Sequence, residues 1–351
     1  MIDNVFRTVI FFVPVKQKYL SLWEYYRVDQ RMLEATFDEV IIAINFWQFL
    51  QAVISKKPDL VYFWWWHRSL LVVLFSRIFG VACIGTGAVH MYDESGAKDF
   101  FTRSFLYRLT NRLTWRLANA TLFISASQFR QITSHEFVQN PLMLKSSTLQ
   151  TVAELNENTN HLERNPKKIR LMTVCWFTKD QLMRKSIIVL LRAIKRLPED
   201  IRKNTHLTII GGNGDAVGEL QRFILEAELS PNVTLSIDAD NETKIQTYQT
   251  SDLYFQPSTY EGFGNSVLEA MTYGTPAIVS GLTAQPEVVK DSGYVLREIS
   301  EECLAEIIIE THSLTAAARQ KLRSKTLEVV RTEHSFDRRL RDFQAIMTDL
   351  K

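Results

Sequence analysis

The chain has 351 residues, of which 46% are hydrophobic, and a formal net charge of only +2. This length allows two domains with separate cores, and the small charge without a long Lys/Arg block argues against a nucleic-acid-binding function. Cys83, Cys175 and Cys303 are far apart, which indicates reduced thiols rather than disulfides or metal ligands and favours a cytoplasmic location. The first residues lack a signal-peptide pattern, and the longest apolar stretch, residues 70–85, is too short to span a bilayer.

The first half of the chain alternates short apolar runs with helical patterns, starting at Val9-Ile-Phe-Phe-Val13. Runs that are apolar on both faces predict a parallel sheet covered by helices. The predicted strands are residues 9–13, 40–44, 60–63, 82–85 and 121–124.

The second half repeats this alternation after a polar stretch, residues 145–168, that we interpret as a linker. The predicted strands are residues 169–174, 207–210, 233–237, 253–255, 277–279 and 294–296. From residue 301 the pattern is helical, and residues 334–347 have the form of an amphipathic helix. We therefore expect an α/β fold of two doubly wound domains, residues 1–165 and 166–333, with a terminal helix over 334–351.

One helical segment of the first half has an unusual charge pattern. Phe101, Phe105, Leu109, Leu113 and Leu117 recur at helical spacing and predict its core face. Beside them stands a row of arginines with no acidic residue among residues 100–135, namely Arg103, Arg108, Arg112 and Arg116. This row fits either a solvated face or peripheral contact with anionic lipid.

Two loops of the second half combine glycines or cations with a strand end. Gly212 and Gly214 follow a predicted strand, where they suit either a structural turn or the close approach of a phosphate. Arg184 and Lys185 are predicted at a helix start, where a cation opposes the helix dipole and a diphosphate partner would explain it. The alternative is a pair of solvated surface cations.

The most informative stretch is Ser258-Thr-Tyr-Glu261-Gly-Phe-Gly-Asn-Ser-Val-Leu-Glu269, which follows a predicted strand. Gly262 and Gly264 allow a close approach to a ligand, and the amides at the start of the next helix favour an anion. The layout suits a nucleoside diphosphate whose ribose hydroxyls are accepted by Glu269, with Glu261 reaching the group beyond the phosphates. Two solvated glutamates beside a turn are the alternative.

The same stretch resembles the Glu-x7-Glu signature of retaining glycosyltransferases of family 4, which have the GT-B fold of two Rossmann-like domains facing a cleft. The resemblance covers residues 170–345 well and the first 165 mainly as architecture. It implies that Glu269 holds the donor ribose, that Glu261 lies near the transferred sugar, and that the loop amides bind the diphosphate. Those amides belong to Phe263, Gly264, Asn265 and Ser266, and Gly262 precedes them in the donor-binding loop.

The resemblance also extends to other loops, with two departures. Related transferases often have a His near the transferred sugar, which implies His90 as a catalytic residue, and a Gly-x-Gly element where Gly212 and Gly214 stand. Trp176 replaces the usual Arg after the strand, so Arg184 or Lys185 must supply that charge. The early glycine pair of many members is absent after the first strand.

These features together predict a retaining transferase that moves a sugar from a UDP- or GDP-linked donor to a saccharide or lipid-linked acceptor. Its setting would be cell-surface polysaccharide or glycoconjugate synthesis, in the cytoplasm or at the inner face of the membrane. We expect no metal and no cofactor besides the nucleotide-sugar substrate, because Lys, Arg and the helix start would carry the leaving charge. The alternatives are a sugar-nucleotide epimerase or phosphorylase of the same fold, and a non-catalytic partner that only binds the donor.

Overall fold

Apolar, β-branched and aromatic runs such as Thr8-Val-Ile-Phe-Phe12 form the strands of two parallel sheets in the computed structural model, which describes residues 7–89, 100–157 and 168–350. The chain divides into two units, Met1–Val152 with His334–Lys351, and Ala153–Glu333. Within the described residues each unit has one six-stranded sheet.

The sheet of the first unit has the strand order β2-β1-β3-β4-β5-β6, with every pairing parallel. Its strands are β1 Thr8–Phe12, β2 Glu39–Ala43, β3 Leu60–Trp64, β4 Ala82–Thr86, β5 Ala120–Phe123 and β6 Pro141–Met143. Its first helices are α1 Gln17–Leu22, α2 Glu24–Glu34, α3 Phe46–Lys56, α4 Leu70–Ile78, α5 Phe105–Leu117 and α6 Ala126–Thr133. A hydrophobic core lies on each face of this sheet.

The second unit has the strand order β12-β11-β10-β7-β8-β9, again all parallel. Its strands are β7 Ile169–Val174, β8 Thr205–Gly211, β9 Val233–Ile237, β10 Leu253–Gln256, β11 Ala277–Ser280 and β12 Tyr294–Leu296. The helices from the unit boundary onward are α7 Val152–Glu157, α8 Lys179–Arg184, α9 Ile187–Arg196, α10 Glu199–Lys203, α11 Val217–Glu226, α12 Asn241–Thr250, α13 Asn265–Thr272, α14 Gln285–Val289, α15 Glu301–Ser313 and α16 Ala316–Glu333.

The last helix, α17 (Phe336–Asp349), packs on α2 within the first unit. Arg339 of α17 donates from Nε and Nη2 to Asp29 Oδ1, at 3.1 and 2.5 Å, and both side chains are almost fully buried. The other oxygen of Asp29 accepts from Tyr62 and from Trp64 Nε1, each at 2.8 Å. Both carboxylate oxygens of Asp29 are therefore hydrogen-bonded, one to α17 and the other to β3. This buried ion pair connects α17 to the sheet through Asp29 of α2.

Two predictions about the first unit need correction. Strand β6 is absent from the predicted strands, because Pro141 opens this short edge strand and a Pro argues against a strand pattern. The predicted core face of α5 is wrong, since the buried residues are Asn111, Thr114 and Trp115 while Phe105 is exposed. A strict four-residue spacing drifts by about 40° per step around a helix, so one such row cannot stay on one face.

Candidate active site

The strand order of the second unit reverses between β7 and β10, because the chain continues to β8 on one side and to β11 on the other. The loops that leave the carboxyl ends of β7, β8 and β10 therefore start from one edge of the sheet. In open α/β sheets this reversal is where ligands bind. The predicted donor residues of this unit follow these three strands.

Glu261 stands in the loop after β10 and is the acceptor of a small polar network. Its Oε1 accepts from Arg184 Nη1 at 2.5 Å, from Gln256 Nε2 at 2.9 Å and from Ser258 Oγ at 3.1 Å. Its backbone amide donates to Thr283 Oγ1. Burial opposes ionisation of Glu261, but the charges of Arg184 and Lys185 outweigh it and hold the pKa of this carboxyl below its usual range. Glu261 is therefore an anion in a largely buried position.

Arg184 and Lys185 differ from the prediction in their place on the helices. Arg184 is the last residue of α8 and Lys185 follows it, so neither opens a helix. Both residues lie at the C-terminus of the short α8 and directly before Ser186, the N-cap of α9, so the dipoles of the two helices act on these cations in opposite senses. Arg184 also donates to the Tyr260 carbonyl at 2.9 Å, which ties α8 to the Glu261 loop.

Lys185 is buried, although the sequence predicts an accessible cation. Its Nζ donates to the Val174 carbonyl at 2.6 Å and to Gln256 Oε1 at 3.1 Å. Burial lowers the pKa of Lys185, and the nearby Glu261 carboxylate partly opposes that effect. The next residue, Ser186, has a φ of +53°, the left-handed region in which glycine is preferred.

Gln256, the last residue of β10, is a functional candidate that the sequence reasoning missed. Its Oε1 accepts from Lys185 and from the Tyr254 hydroxyl, and its Nε2 donates to Glu261. Gln256 thus links the buried cation to the carboxylate and fixes the orientation of both. A lone Gln at a strand end carries no sequence signal for this role.

Glu269 lies in α13 and is held from the side of α12. Its Oε2 accepts from Lys244 Nζ at 2.9 Å and from the Tyr248 hydroxyl at 3.2 Å. The Lys244 and Glu269 side chains are 25% and 18% exposed. Lys244 was also missed by the sequence reasoning, since α12 reads as an ordinary polar helix.

One of the two glycines in the loop between the glutamates has a left-handed backbone. Gly264 has a φ of +106° and is the N-cap of α13, whose first residue is Asn265. The Phe263 side chain is buried, so only its backbone could meet a ligand. The predicted amide cradle therefore remains a prediction that rests on backbone groups at a helix start.

Gly212 and Gly214 have a packing role whatever they bind. A Cβ on Gly212 would lie 2.2 Å from the Trp176 ring, and one on Gly214 would lie 2.2 Å from the Phe177 carbonyl oxygen. Both glycines allow the loop after β8 to lie against the loop after β7. Trp176, at the position where related transferases carry Arg, covers Gly212 with a half-exposed indole.

Asp238 and Asp240 form an Asp-x-Asp pattern after β9 that the prediction of a metal-free enzyme passed over. Asp240 Oδ1 caps α12 by accepting from the Thr243 amide at 2.7 Å. Asp238 Oδ1 accepts from the Asn213 amide at 2.9 Å. Both carboxylates thus have local structural partners. Among the residues that the structure describes, no group of three or more His, Cys, Asp or Glu side chains is placed to hold a metal.

His90, the remaining predicted catalytic residue, lies outside the described residues. The tryptophans before it are described, and Trp64 and Trp66 are buried while Trp65 is only partly buried.

None of the helices in the described part of the chain combines the length and apolar character needed to cross a membrane.

Comparison with known proteins finds a family match within the second unit. Residues 173–327 match the family described as "Glycosyl transferases group 1". These residues, which make up less than half of the chain, are similar to glycosyltransferase group 1 domains. The O-antigen chain mannosyltransferase B of Escherichia coli is 30% identical over 128 residues, which are 36% of this chain and 34% of that protein. The present chain thus spans about a third of the length of that relative.

Solved structures extend the likeness to both units. Sucrose-phosphate synthase from Thermosynechococcus elongatus has a TM-score of 0.77 at 15% identity and covers 98% of this chain and 99% of its own. The Anabaena protein HepE, solved with UDP and glucose, has a TM-score of 0.74 at 15% identity. The alignment covers 98% of this chain and 100% of HepE. The predicted GT-B fold class, α/β with two parallel sheets, is confirmed.

Proposed function

We propose that this protein is a retaining glycosyltransferase that moves a sugar from a UDP- or GDP-linked donor to a saccharide or lipid-linked acceptor in cell-surface polysaccharide synthesis. The observation that carries the proposal is the pair Glu261 and Glu269, which flank a glycine loop and helix start at the strand-order reversal of a region similar to glycosyltransferase group 1 domains. The mannosyltransferase relative and the UDP bound to HepE support the donor class.

The donor nucleotide would lie against α13. Glu269 Oε2 is taken by Lys244 and Tyr248, whereas Oε1 has no hydrogen bond from the described residues. That oxygen would accept the ribose hydroxyls. The amides at the start of α13, with the positive end of its dipole, would receive the diphosphate. This assignment uses backbone donors for the phosphates and a carboxylate for the sugar ring, as the chemistry of each group requires.

The transferred sugar would lie beside Glu261. Its Oε1 is saturated by three donors, and within the described residues its Oε2 accepts none, so Oε2 can take a sugar hydroxyl. The Arg184 side chain is 25% exposed, and its guanidinium would contact a leaving phosphate while it still pairs with Glu261. The buried Lys185 adds a fixed positive field beneath this pair. Preorganised positive charge of this kind stabilises the leaving diphosphate without reorganisation.

The test is to incubate the purified chain with UDP- and GDP-linked sugars and a panel of saccharide and lipid-linked acceptors. We expect mass spectrometry to find a glycosylated acceptor, and NMR to find the anomeric configuration of the donor retained. An epimerised nucleotide sugar or a sugar phosphate would assign the alternative enzymes. Donor binding without any product, even in the presence of acceptor, would assign a non-catalytic partner.

The diphosphate contact can be tested separately by calorimetry. We expect Arg184→Ala to weaken binding of the nucleoside diphosphate more than that of the monophosphate, because Arg184 is the accessible cation of the pair. Lys185→Ala is expected to lower the thermal midpoint as well, since it empties a buried polar site. Equal losses for both nucleotides in the two variants would place the phosphate contact elsewhere.

A further inference from the structure

One helical layer of the first unit exposes large apolar side chains. Strands β1 to β5 are crossed by α3, α4 and α5, which connect strands in one direction along the sheet and pack against one another in sequence. Right-handed crossovers in one direction put such helices on the same face. Each helix exposes large apolar side chains, and these are Trp47 and Ile54, Leu71 and Ile78, and Phe105 and Leu106.

The exposure of these side chains is high for a globular surface. Trp47 is 75% exposed, Ile78 is 73% and Phe105 is 69%. On α4 the exposed Leu71, Leu74 and Ile78 follow a three- and four-residue spacing, so they form a stripe on the outer face of the helix. Apolar residues scattered singly on a surface need no explanation, but such a grouping indicates an interaction site.

The charge of the same layer has one sign. Helices α3, α4 and α5 contain no acidic residue and together carry Lys56, Arg77, Arg108, Arg112 and Arg116. By contrast, α15 of the second unit alone contains four glutamates. The outer face of this layer is therefore apolar and basic, and we call it the α3–α5 face.

Only part of this positive charge is neutralised. Arg112 forms an ion pair with Glu136 at 2.5 Å, and Lys56 pairs with Glu39. Within the described residues, Arg103, Arg108 and Arg116 form no ion pair with a carboxylate. The predicted row of four arginines thus reduces to three that are available to an external anion.

We propose that the α3–α5 face docks on an anionic membrane surface. Aromatic and aliphatic side chains on the face would enter the headgroup region, while the arginines would meet lipid phosphates. A basic protein partner is disfavoured because helices α3, α4 and α5 contain no acidic residue. This inference concerns the first unit and does not depend on the transferase activity.

The test measures the partition of the full chain onto vesicles of phosphatidylcholine alone or mixed with phosphatidylglycerol, at low and high salt. We expect wild type to partition at least about tenfold more strongly onto the anionic vesicles at low salt, and high salt to reduce this preference. The apolar variant combines Trp47→Ser, Ile78→Ser and Phe105→Ser. Its matched control changes three exposed apolar residues outside the face, Leu22→Ser, Leu225→Ser and Ile309→Ser.

The basic variant combines Arg103→Gln, Arg108→Gln and Arg116→Gln, and its control combines Arg170→Gln, Arg222→Gln and Lys321→Gln. We expect both face variants to lose the anionic preference about tenfold while both controls keep it. Circular dichroism verifies folding, and the basic variant tests the proposal even if the apolar variant does not fold. Equal partition of wild type, face variants and controls would overturn it. The proposal would also be overturned if wild type did not bind vesicles but formed a dimer, detected by light scattering, that the apolar variant abolished.

Discussion

The two units each contain an arginine–carboxylate pair with a closest N–O distance of 2.5 Å, and the pairs differ in how fully they are satisfied. In the first unit, both oxygens of Asp29 and the guanidinium of Arg339 are hydrogen-bonded inside the protein. In the second unit, the Arg184 and Glu261 side chains are 25% and 13% exposed, and the three hydrogen bonds that the Glu261 carboxylate accepts from the described residues all fall on Oε1.

This difference separates a structural pair from a pair available for chemistry. A saturated, buried pair has no acceptor or donor left for a ligand, so its contribution is to hold α17 on the sheet. In the Arg184–Glu261 pair, Glu261 Oε2 accepts no hydrogen bond from the described residues, and the Arg184 side chain is 25% exposed. Ligands can bind only where such capacity remains, and the following experiments test that distinction.

The largest effect is expected for Arg339→Met, which leaves Asp29 buried and unpaired. We predict a loss of about 3–5 kcal/mol in the free energy of unfolding, measured by urea denaturation. Arg341→Met, at an exposed position on the same helix, is the control and should change stability by less than about 0.5 kcal/mol. If the two variants unfolded alike, Arg339 would not be the anchor of α17.

Glu261→Gln should lower turnover much more than nucleotide affinity. We predict a fall in kcat of about 100-fold, the scale of losing one preorganised group at the reacting centre, with little change in nucleoside diphosphate affinity. Steady-state kinetics and calorimetry measure the two quantities, with Glu226→Gln as the exposed control. Equal losses in turnover and affinity would place Glu261 at the nucleotide instead of the sugar.

The same variant gives a pH test of the pair. The pKa of Glu261 is lowered from an ordinary value of 4.5, so its ionised form stabilises the folded state above that pH. This contribution is lost as the pH falls through the lowered pKa. The stability difference between wild type and Glu261→Gln should therefore be constant above pH 4.5 and decrease below it. A difference that grows on acidification would contradict the ionised pair.

Glu269→Ala should weaken nucleoside diphosphate binding by about 1–3 kcal/mol through loss of the hydroxyl acceptor, and Glu269→Gln should be milder. Calorimetry with the ribonucleotide and its 2′-deoxy analogue identifies the contact. Wild type should discriminate between the two, and the Ala variant should not. Unchanged affinity for both UDP and GDP would exclude the ribose role.

Lys244→Met gives the smallest expected effect, about 1 kcal/mol, because Lys244 orients Glu269 without touching the ribose. We predict reduced discrimination between ribo- and deoxyribonucleotide, and recovery of most of it in Lys244→Arg. A general loss of affinity without a change in discrimination would assign Lys244 to direct nucleotide contact.

The sequence alone determined the alternation of strands and helices, since apolar runs buried on both faces have no other stable arrangement. It also marked the Glu261–Glu269 loop, because glycine spacing and carboxylates near a helix start are local features. Neither β6 nor the outer face of α5 could be predicted from the sequence. An edge strand that begins with Pro does not give a clear strand pattern, and apolar residues spaced by exactly four do not stay on one face of a helix.

The tertiary structure decided which polar side chains meet. Lys185 is buried beneath Glu261 rather than exposed at a helix start, and Gln256 and Lys244 complete networks across loops and helices that are distant in sequence. Asp29 and Arg339, 310 residues apart, form the most buried of the ion pairs among the described residues. Such pairings depend on strand order and helix packing, which bring together residues whose separation along the chain carries no periodic signal.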